Sequence, residues 1–242
     1  MTDFQNKLIS VANMNEATKG LIDEDSAARL EDFTKHLLEV NKTLNLTAIR
    51  DEDGFILKHL VDSVAILPYI KDGASIADIG CGGGFPTFPI AFLKKDISIL
   101  SVDSVGKKVE HVKNTATLFG ISNISVSSRR AEELGRDPVY RESIDICCAR
   151  AVGRLNLLCE LCLPLVKVGG SFIAMKSKTT SEELAEADKA ISLLGGCLKS
   201  VINYTLTDGN EVLERTLVII EKQTRTPEKY PRNNSQISKK PL

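Results

Sequence analysis

The spacing of apolar positions divides the chain into two textures. Over residues 1 to 70 the pattern is helical. In "SAARLEDFTKHLLEVNKTL" the residues Leu30, Phe33, Leu37, Leu38 and Leu44 fall close to helical intervals. "DEDGFILKHLVDSVAILPYI" predicts a further helical stretch. Asp51, Glu52 and Asp53 suit its N-terminus, although Gly54 weakens the first turn. After "KDGAS" short β-rich runs alternate with helical ones: "SIADI", "ISILSVD", "ISVSS", "SIDICCA" and "SFIAMK". Such alternation predicts a mainly parallel sheet with helices on both faces. Gly169 and Gly170 make the turn into the last of these strands. "SEELAEADKAISLLG" reads as another helix, and "VINYTLT" and "RTLVIIEK" as two closing strands. The prolines and polar residues from Thr224 onward read as an irregular tail.

Composition narrows the class without naming a function. A chain of 242 residues with 43% hydrophobic and 26% charged residues suits one sizeable soluble domain with a small appendage. Residues 1 to 20 lack the cationic start and apolar core of a signal peptide, and no apolar run approaches bilayer length. A cytoplasmic protein without a membrane partner is expected, and a monomer. The net charge of −1 gives no global reason to expect nucleic acid. Locally the balance differs: Lys222, Arg225, Lys229, Arg232, Lys239 and Lys240 stand against Glu228, and Lys107-Lys108 and Arg129-Arg130 form further basic pairs. Six cysteines include Cys147-Cys148 and Cys159-x-x-Cys162, but the latter pair lies in an apolar helical run. Core packing is therefore expected, with no metal and no disulfide framework.

Candidate chemistry begins at "IADIGCGGGFPTFPIAF", residues 76 to 92. Gly80 and Gly82 fit the dinucleotide fingerprint G-x-G-x-x-G, but Phe85 stands at its third glycine. The Gly-Lys-Ser/Thr ending of a phosphate loop is absent too. Asp78 immediately precedes the glycines. Beside a pyrophosphate its carboxylate would repel, whereas beside the sulfonium and ammonium of S-adenosylmethionine it would attract. The pattern Asp78-x-Gly80-x-Gly82-x-Gly84 thus favours a methyl donor. Asp103, ending the second strand, can accept both ribose hydroxyls, a feature shared with nicotinamide enzymes. After the third strand Ala131 and Glu132 offer backbone and a carboxylate to an adenine edge.

Motifs spread over nearly the whole chain carry a resemblance. They are "NLTAIRD" (45–51), "HLVDS" (59–63), "GFP" (84–86), "DSVGKKVEH" (103–111), "RAEEL" (130–134), "ARA" (149–151), "LPLVKVGGSFIAMKS" and the "TPEKYPR…KKPL" tail. In order and spacing the sequence resembles the bacterial small-subunit ribosomal RNA guanine-N7 methyltransferase family. The resemblance implies an α/β class I methyltransferase fold with a Rossmann-like, seven-stranded, mainly parallel sheet. Residues 1–72 would form an N-terminal helical extension, 73–223 the core, and 224–242 a basic tail. It implies S-adenosylmethionine as methyl donor and a guanine of the small-subunit RNA, or of the small-subunit particle, as acceptor. The positions matching the family's donor site are Gly80, Phe85, Asp103, Ser104, Val105, Ala131, Glu132 and Arg150. Where the family usually continues Gly-Phe-Pro-Gly, this chain has Thr87. The tail replaces a Gly-Thr-Pro step with "NNSQISKKPL".

Guanine N7 is a lone pair with no proton to lose, so positioning rather than acid–base chemistry is expected. The sequence has no Asn/Asp-Pro-Pro-aromatic motif and no Pro-Cys nucleophile. No catalytic acid or base is assigned. Arg150, His59 and Lys176 are candidate acceptor-positioning residues, with Asp62 one turn from His59. Lys107, Lys108, Arg129, Arg130 and Arg232 are candidate phosphate contacts. Rival readings are a nicotinamide-dependent dehydrogenase, a methyltransferase acting on a small molecule or protein, and a non-catalytic RNA-binding assembly factor.

Overall fold

The computed structural model describes residues 1–179 and 181–242. Helices α1 (Asp3–Met14) and α2 (Glu24–Leu44) precede a broken helical segment. That segment comprises α3 (Glu52–Phe55), a π-helical turn (Ile56–Val61), α4 (Asp62–Val64) and a 3₁₀ turn (Leu67–Tyr69). Strands and helices then alternate: β1 (Ser75–Ile79), α5 (Thr87–Leu93), β2 (Ser98–Val102), α6 (Gly106–Leu118), β3 (Ile124–Ser127) and α7 (Ala131–Leu134). They continue with β4 (Ile144–Arg150), α8 (Leu155–Cys162), β5 (Val166–Lys176) and α9 (Ser181–Leu193). The chain closes with β6 (Gly196–Thr207), β7 (Val212–Lys222) and α10 (Asn234–Lys239).

The seven strands form one sheet in the order β3-β2-β1-β4-β5-β7-β6. Strands β1 to β5 pair in parallel, and β7 runs antiparallel between β5 and β6. The order reverses between β1 and β4, which opens a crevice at their C-terminal ends. Period-two alternation divides the apolar residues between two layers. Ile76, Ile99, Cys148, Ile173 and Ile219 face α1, α2, α5 and α6. Ala77, Leu100, Cys147, Phe172 and Ile220 face α7, α8 and α9. Both faces are covered, as parallel strands require.

The N-terminal helices pack on the sheet through aromatic side chains. Asp23 caps α2 by accepting the Ser26 N–H at 2.8 Å. The buried stripe Leu30, Phe33 and Leu37 then points inward. Phe33 is fully buried, with its ring centroid 4.8 Å from Phe88 and 5.5 Å from Phe85. Thus α2 braces the glycine loop that precedes α5. Gly54, which weakened the sequence-based helix start, has a steric reason. A Cβ there would lie 2.8 Å from the Asp51 Oδ1 that caps this turn.

Five cysteines are buried and Cys197 is exposed. Burial pushes the Cys147, Cys148, Cys159 and Cys162 thiols up, so they behave as small apolar groups. The C-terminal stretch departs from its irregular reading. Lys222 is fully buried and donates to the Leu163 carbonyl at 2.7 Å and to Thr226 Oγ1. Arg141 donates to the carbonyls of Tyr230 at 2.8 Å and Thr226 at 2.7 Å, and Arg136 to that of Pro231 at 2.7 Å. No helix among the described residues is long and apolar enough to cross a membrane.

Truncating Phe33→Ala removes the aromatic contact that joins α2 to the loop. The expected cost is about 3–5 kcal/mol of stability, read as a lower urea midpoint with an unchanged slope. A loss below about 1 kcal/mol would show that the helices are not braced this way.

Candidate functional site

Two cavities meet at the C-terminal ends of the parallel strands. The first, about 470 Å³, is lined by Gly80, Asp103, Ser104, Val105, Ala131 and Glu132. Lys108, Arg129 and Arg130 line it as well, as do Leu157 and Leu161 of α8. The second, about 410 Å³, is lined by Lys58, His59, Asp62, Arg150, Lys176 and Arg215. Ala151 lines both cavities, in a left-handed conformation at φ 58° that is uncommon outside glycine. It follows directly on β4, at the switch point of the sheet.

The glycine loop is fixed by backbone contacts and crowding. The N–H groups of Gly80 and Cys81 both donate to the Val102 carbonyl, at 2.8 and 3.0 Å. A Cβ on Gly80 would meet Val152 Cγ2 at 2.4 Å, and one on Gly84 would meet the Phe88 ring at 2.3 Å. Gly80 therefore keeps the cavity floor bare, whereas Gly84 serves packing. Gly82 donates its N–H to Asp103 Oδ2 at 3.1 Å. The other oxygen of Asp103 accepts the Val105 N–H at 2.9 Å, so the carboxylate is held rigidly at the cavity edge. Glu132 is buried on the same cavity.

Asp78, Gly82, Gly84, Phe85 and Arg150, expected to hold the donor, do not line the first cavity, and Arg150 lines the second. Asp78 is wholly buried beneath the loop, where Thr87 Oγ1 donates to its Oδ2 at 2.6 Å. Ser101 Oγ lies 2.8 Å from the same threonine hydroxyl. Asp78 Oδ1 has no hydrogen-bond partner among the described residues. Burial raises this carboxyl to about 7, against the opposing pull of the Thr87 hydrogen bond and the Arg150 charge.

The second cavity gathers charge from distant segments. Arg150 Nη1 donates to Asp62 Oδ2 at 3.1 Å and to Ser63 Oγ at 3.2 Å. Arg215 Nε donates to Asp62 Oδ1 at 2.8 Å. Phe85 stacks on His59 with centroids 4.5 Å apart, and the Arg150 guanidinium lies 5.4 Å from the Phe85 centroid. His59 Nδ1 faces Arg150 Nη2 at 3.4 Å, and an arginine can only donate. Nδ1 is therefore the acceptor, and Nε2–H donates to Thr47 Oγ1 at 2.6 Å. Burial and the Arg150 charge lower His59 to about 3, so it stays neutral near pH 7. Asn41 fixes Thr47 by bonding both its carbonyl, at 2.9 Å, and its N–H, at 3.0 Å. The π-helical turn that carries His59 leads directly to Asp62, at the point where both meet the cavity.

Lys176 donates to the Gly153 carbonyl at 3.1 Å and pairs with Glu183. Arg232 has an internal partner. Its guanidinium is locked on Glu160, whose side chain is fully buried, with Nη2 2.6 Å from Oε2. Arg129 pairs with Asp137 at 2.6 Å, while Lys107 and Arg130 are exposed. Sequence reasoning missed Arg215, Val152, Asn234 and Ser238 on these walls. Arg215 lies on antiparallel β7, where no local motif marks it.

The sheet order and the crevice define a class I methyltransferase fold. TrmN from Thermus thermophilus superposes with a TM-score of 0.51 at 20% identity, covering 67% of this chain and 48% of that one. The precorrin-6y C5,15-methyltransferase of Geobacter metallireducens gives a TM-score of 0.50 at 17% identity, covering 68% and 87%. The chain belongs to the GidB family, described as rRNA small subunit methyltransferase G, whose model matches residues 26–212. The ribosomal RNA small subunit methyltransferase G of Lactobacillus acidophilus is 41% identical over 214 residues, covering 87% of this chain and 88% of its own. That of Acetivibrio thermocellus is 39% identical over 222 residues, covering 91% and 90%.

The Asp78 carboxyl makes a pH prediction. Folding raises it from 3.8 to about 7, so the folded chain holds a proton that the unfolded chain releases between those values. The associated stability is full below about 3.8 and is lost as pH rises through about 7, by roughly 4 kcal/mol at the extreme. Asp78→Asn cannot ionise. Its melting temperature is expected to rise relative to the parent protein between about pH 5 and pH 9. A difference that stays flat over this range would contradict a buried, proton-holding Asp78.

Proposed function

We infer that the protein transfers a methyl group from S-adenosylmethionine to N7 of a guanine in small-subunit ribosomal RNA. The observation that carries this reading is the meeting of two cavities at Ala151, one edged by a rigid carboxylate and one gathering arginines around Asp62. The first suits the donor. Asp103, with each oxygen already holding one backbone N–H, presents its remaining lone pairs toward ribose hydroxyls. Leu157 and Leu161 offer apolar surface to a flat base, and Ala131 and Glu132 offer polar groups to its edge. The unpartnered Oδ1 of Asp78, below the loop, supplies negative potential toward a cationic donor when ionised. These residues fit a nucleoside carrying a positively charged sulfur better than they fit a pyrophosphate.

When bound, S-adenosylmethionine supplies an electrophilic methyl group and leaves as a neutral thioether. Guanine N7 brings a lone pair and releases no proton, so the positive charge passes to the base. No residue has to act as a base, which accords with a neutral His59 whose ring nitrogens are both engaged. Arg150, stacked over Phe85 and tied to Asp62, orients the acceptor. Asp62, with one oxygen on Arg150 and the other on Arg215, fixes both guanidinium groups on that cavity wall. Lys107, Lys108 and Arg130 stand by the donor loop as phosphate contacts.

Labelled S-adenosylmethionine incubated with small-subunit RNA from cells lacking the gene is expected to yield 7-methylguanosine at one position. Asp103→Ala removes hydrogen bonds to a charged group worth about 1.5–3 kcal/mol each, so donor affinity should fall about a hundredfold or more. His59 does not titrate between about pH 6 and pH 9, so the pH dependence expected there is a rise in donor affinity as Asp78 ionises near pH 7. Donor binding without label in RNA or particles would redirect the search to small-molecule or protein acceptors.

A further inference from the structure

The first cavity has a wall that the methyltransferase core does not supply. Asn234 and Ser238, one turn apart on α10, line it together with Asp103, Val105 and Glu132. Their side chains face each other, with Ser238 Oγ 3.4 Å from Asn234 Oδ1, and both residues are exposed. Between them Ile237 is 1% exposed and plugs α10 into the protein. Asn233 caps the helix by accepting the Gln236 N–H at 3.0 Å. Upstream, the Arg232–Glu160 pair and buried Tyr230 fix where α10 begins. The helix is therefore seated at the cavity by buried contacts on one side, and it offers two uncharged polar side chains on the other.

We propose that α10 forms part of the nucleoside-binding wall of the donor site, with Asn234 and Ser238 contacting the bound adenosine. The inference rests on the reading of the first cavity as the donor site. The polar chemistry suits a neutral heterocycle and its ribose: an amide and a hydroxyl can each donate and accept, and neither carries charge. They share the cavity with Asp103 and Glu132, at the nucleoside end, rather than with the second cavity, which neither residue lines. The tail thus acts as a donor-binding element as well as a basic segment.

The test is calorimetric binding of S-adenosylhomocysteine and of 5′-methylthioadenosine, which lacks the amino-acid end, to full-length proteins without RNA. The double variant Asn234→Ala/Ser238→Ala alters two exposed side chains, so its melting temperature without ligand should match the parent. Losing two neutral hydrogen bonds at about 0.5–1.5 kcal/mol each is expected to weaken both ligands about tenfold and in parallel. Ile237→Asp, which unseats the helix, should weaken them at least as much. Parent-like affinity in both variants would overturn the role of α10 while leaving the donor site standing. Weakening of S-adenosylhomocysteine but not of methylthioadenosine would overturn the contact with the nucleoside. Failure of the parent protein to bind either ligand would instead remove the donor-site reading and the inference with it.

Discussion

The carboxylate of Asp62 is the contact on which the second cavity depends. Its two oxygens are taken by two arginines, Arg150 at the end of β4 and Arg215 on β7. Asp62 itself stands where the π-helical turn gives way to α4. One nearly buried anion therefore joins the helical segment, the parallel half of the sheet and its antiparallel edge. Removing one partner from such a buried cluster typically costs 3–5 kcal/mol, because the remaining charges are left without compensation. The arrangement also holds the Arg150 guanidinium against Phe85, and Phe85 in turn packs on His59 and Phe33. Charge and aromatic packing thus fix the glycine loop from the side opposite the first cavity.

In the glycine loop, three of the four glycines in five positions do different work. Gly80 leaves the cavity floor bare beneath Val152, whereas Gly84 admits the Phe88 ring. Gly82 gives its amide to Asp103, tying the loop to the end of β2. Thr87 fills the space below and turns its hydroxyl toward Asp78. The loop is a rigid shelf between a polar cavity and an aromatic core. A preformed shelf of this kind lowers the ordering cost of binding.

Much of this architecture is legible in the sequence. The strands declare themselves because both faces of a parallel sheet are covered, so "SIADI" and "SIDICCA" read as short, mostly apolar β-rich runs. Asp103, Ala131 and Glu132 are legible because each follows a strand end, where crevices form. Arg215 is not, since it reaches the second cavity through the antiparallel pairing of β7 with β5, set by tertiary register. The depth of Asp78 is hidden for a similar reason: alternation puts it on the face that α5 covers, one layer below the loop. Charge counting does not show that Lys222 and Arg232 each have a partner inside the fold. A basic run in sequence does not tell which of its members have internal partners.

The pairing of Glu160 with Arg232 has a consequence for how the protein is made. Glu160 lies on α8 with its side chain fully buried, and its partner arrives 72 residues later in the chain. At synthesis rates of about 5–20 residues per second, that interval is roughly 4–14 seconds. Until then the apolar face of α8 cannot settle around this carboxylate without leaving it uncompensated. A chain that stops short of Arg232 keeps this defect permanently. Only a chain that includes Arg232 supplies the partner of this buried carboxylate.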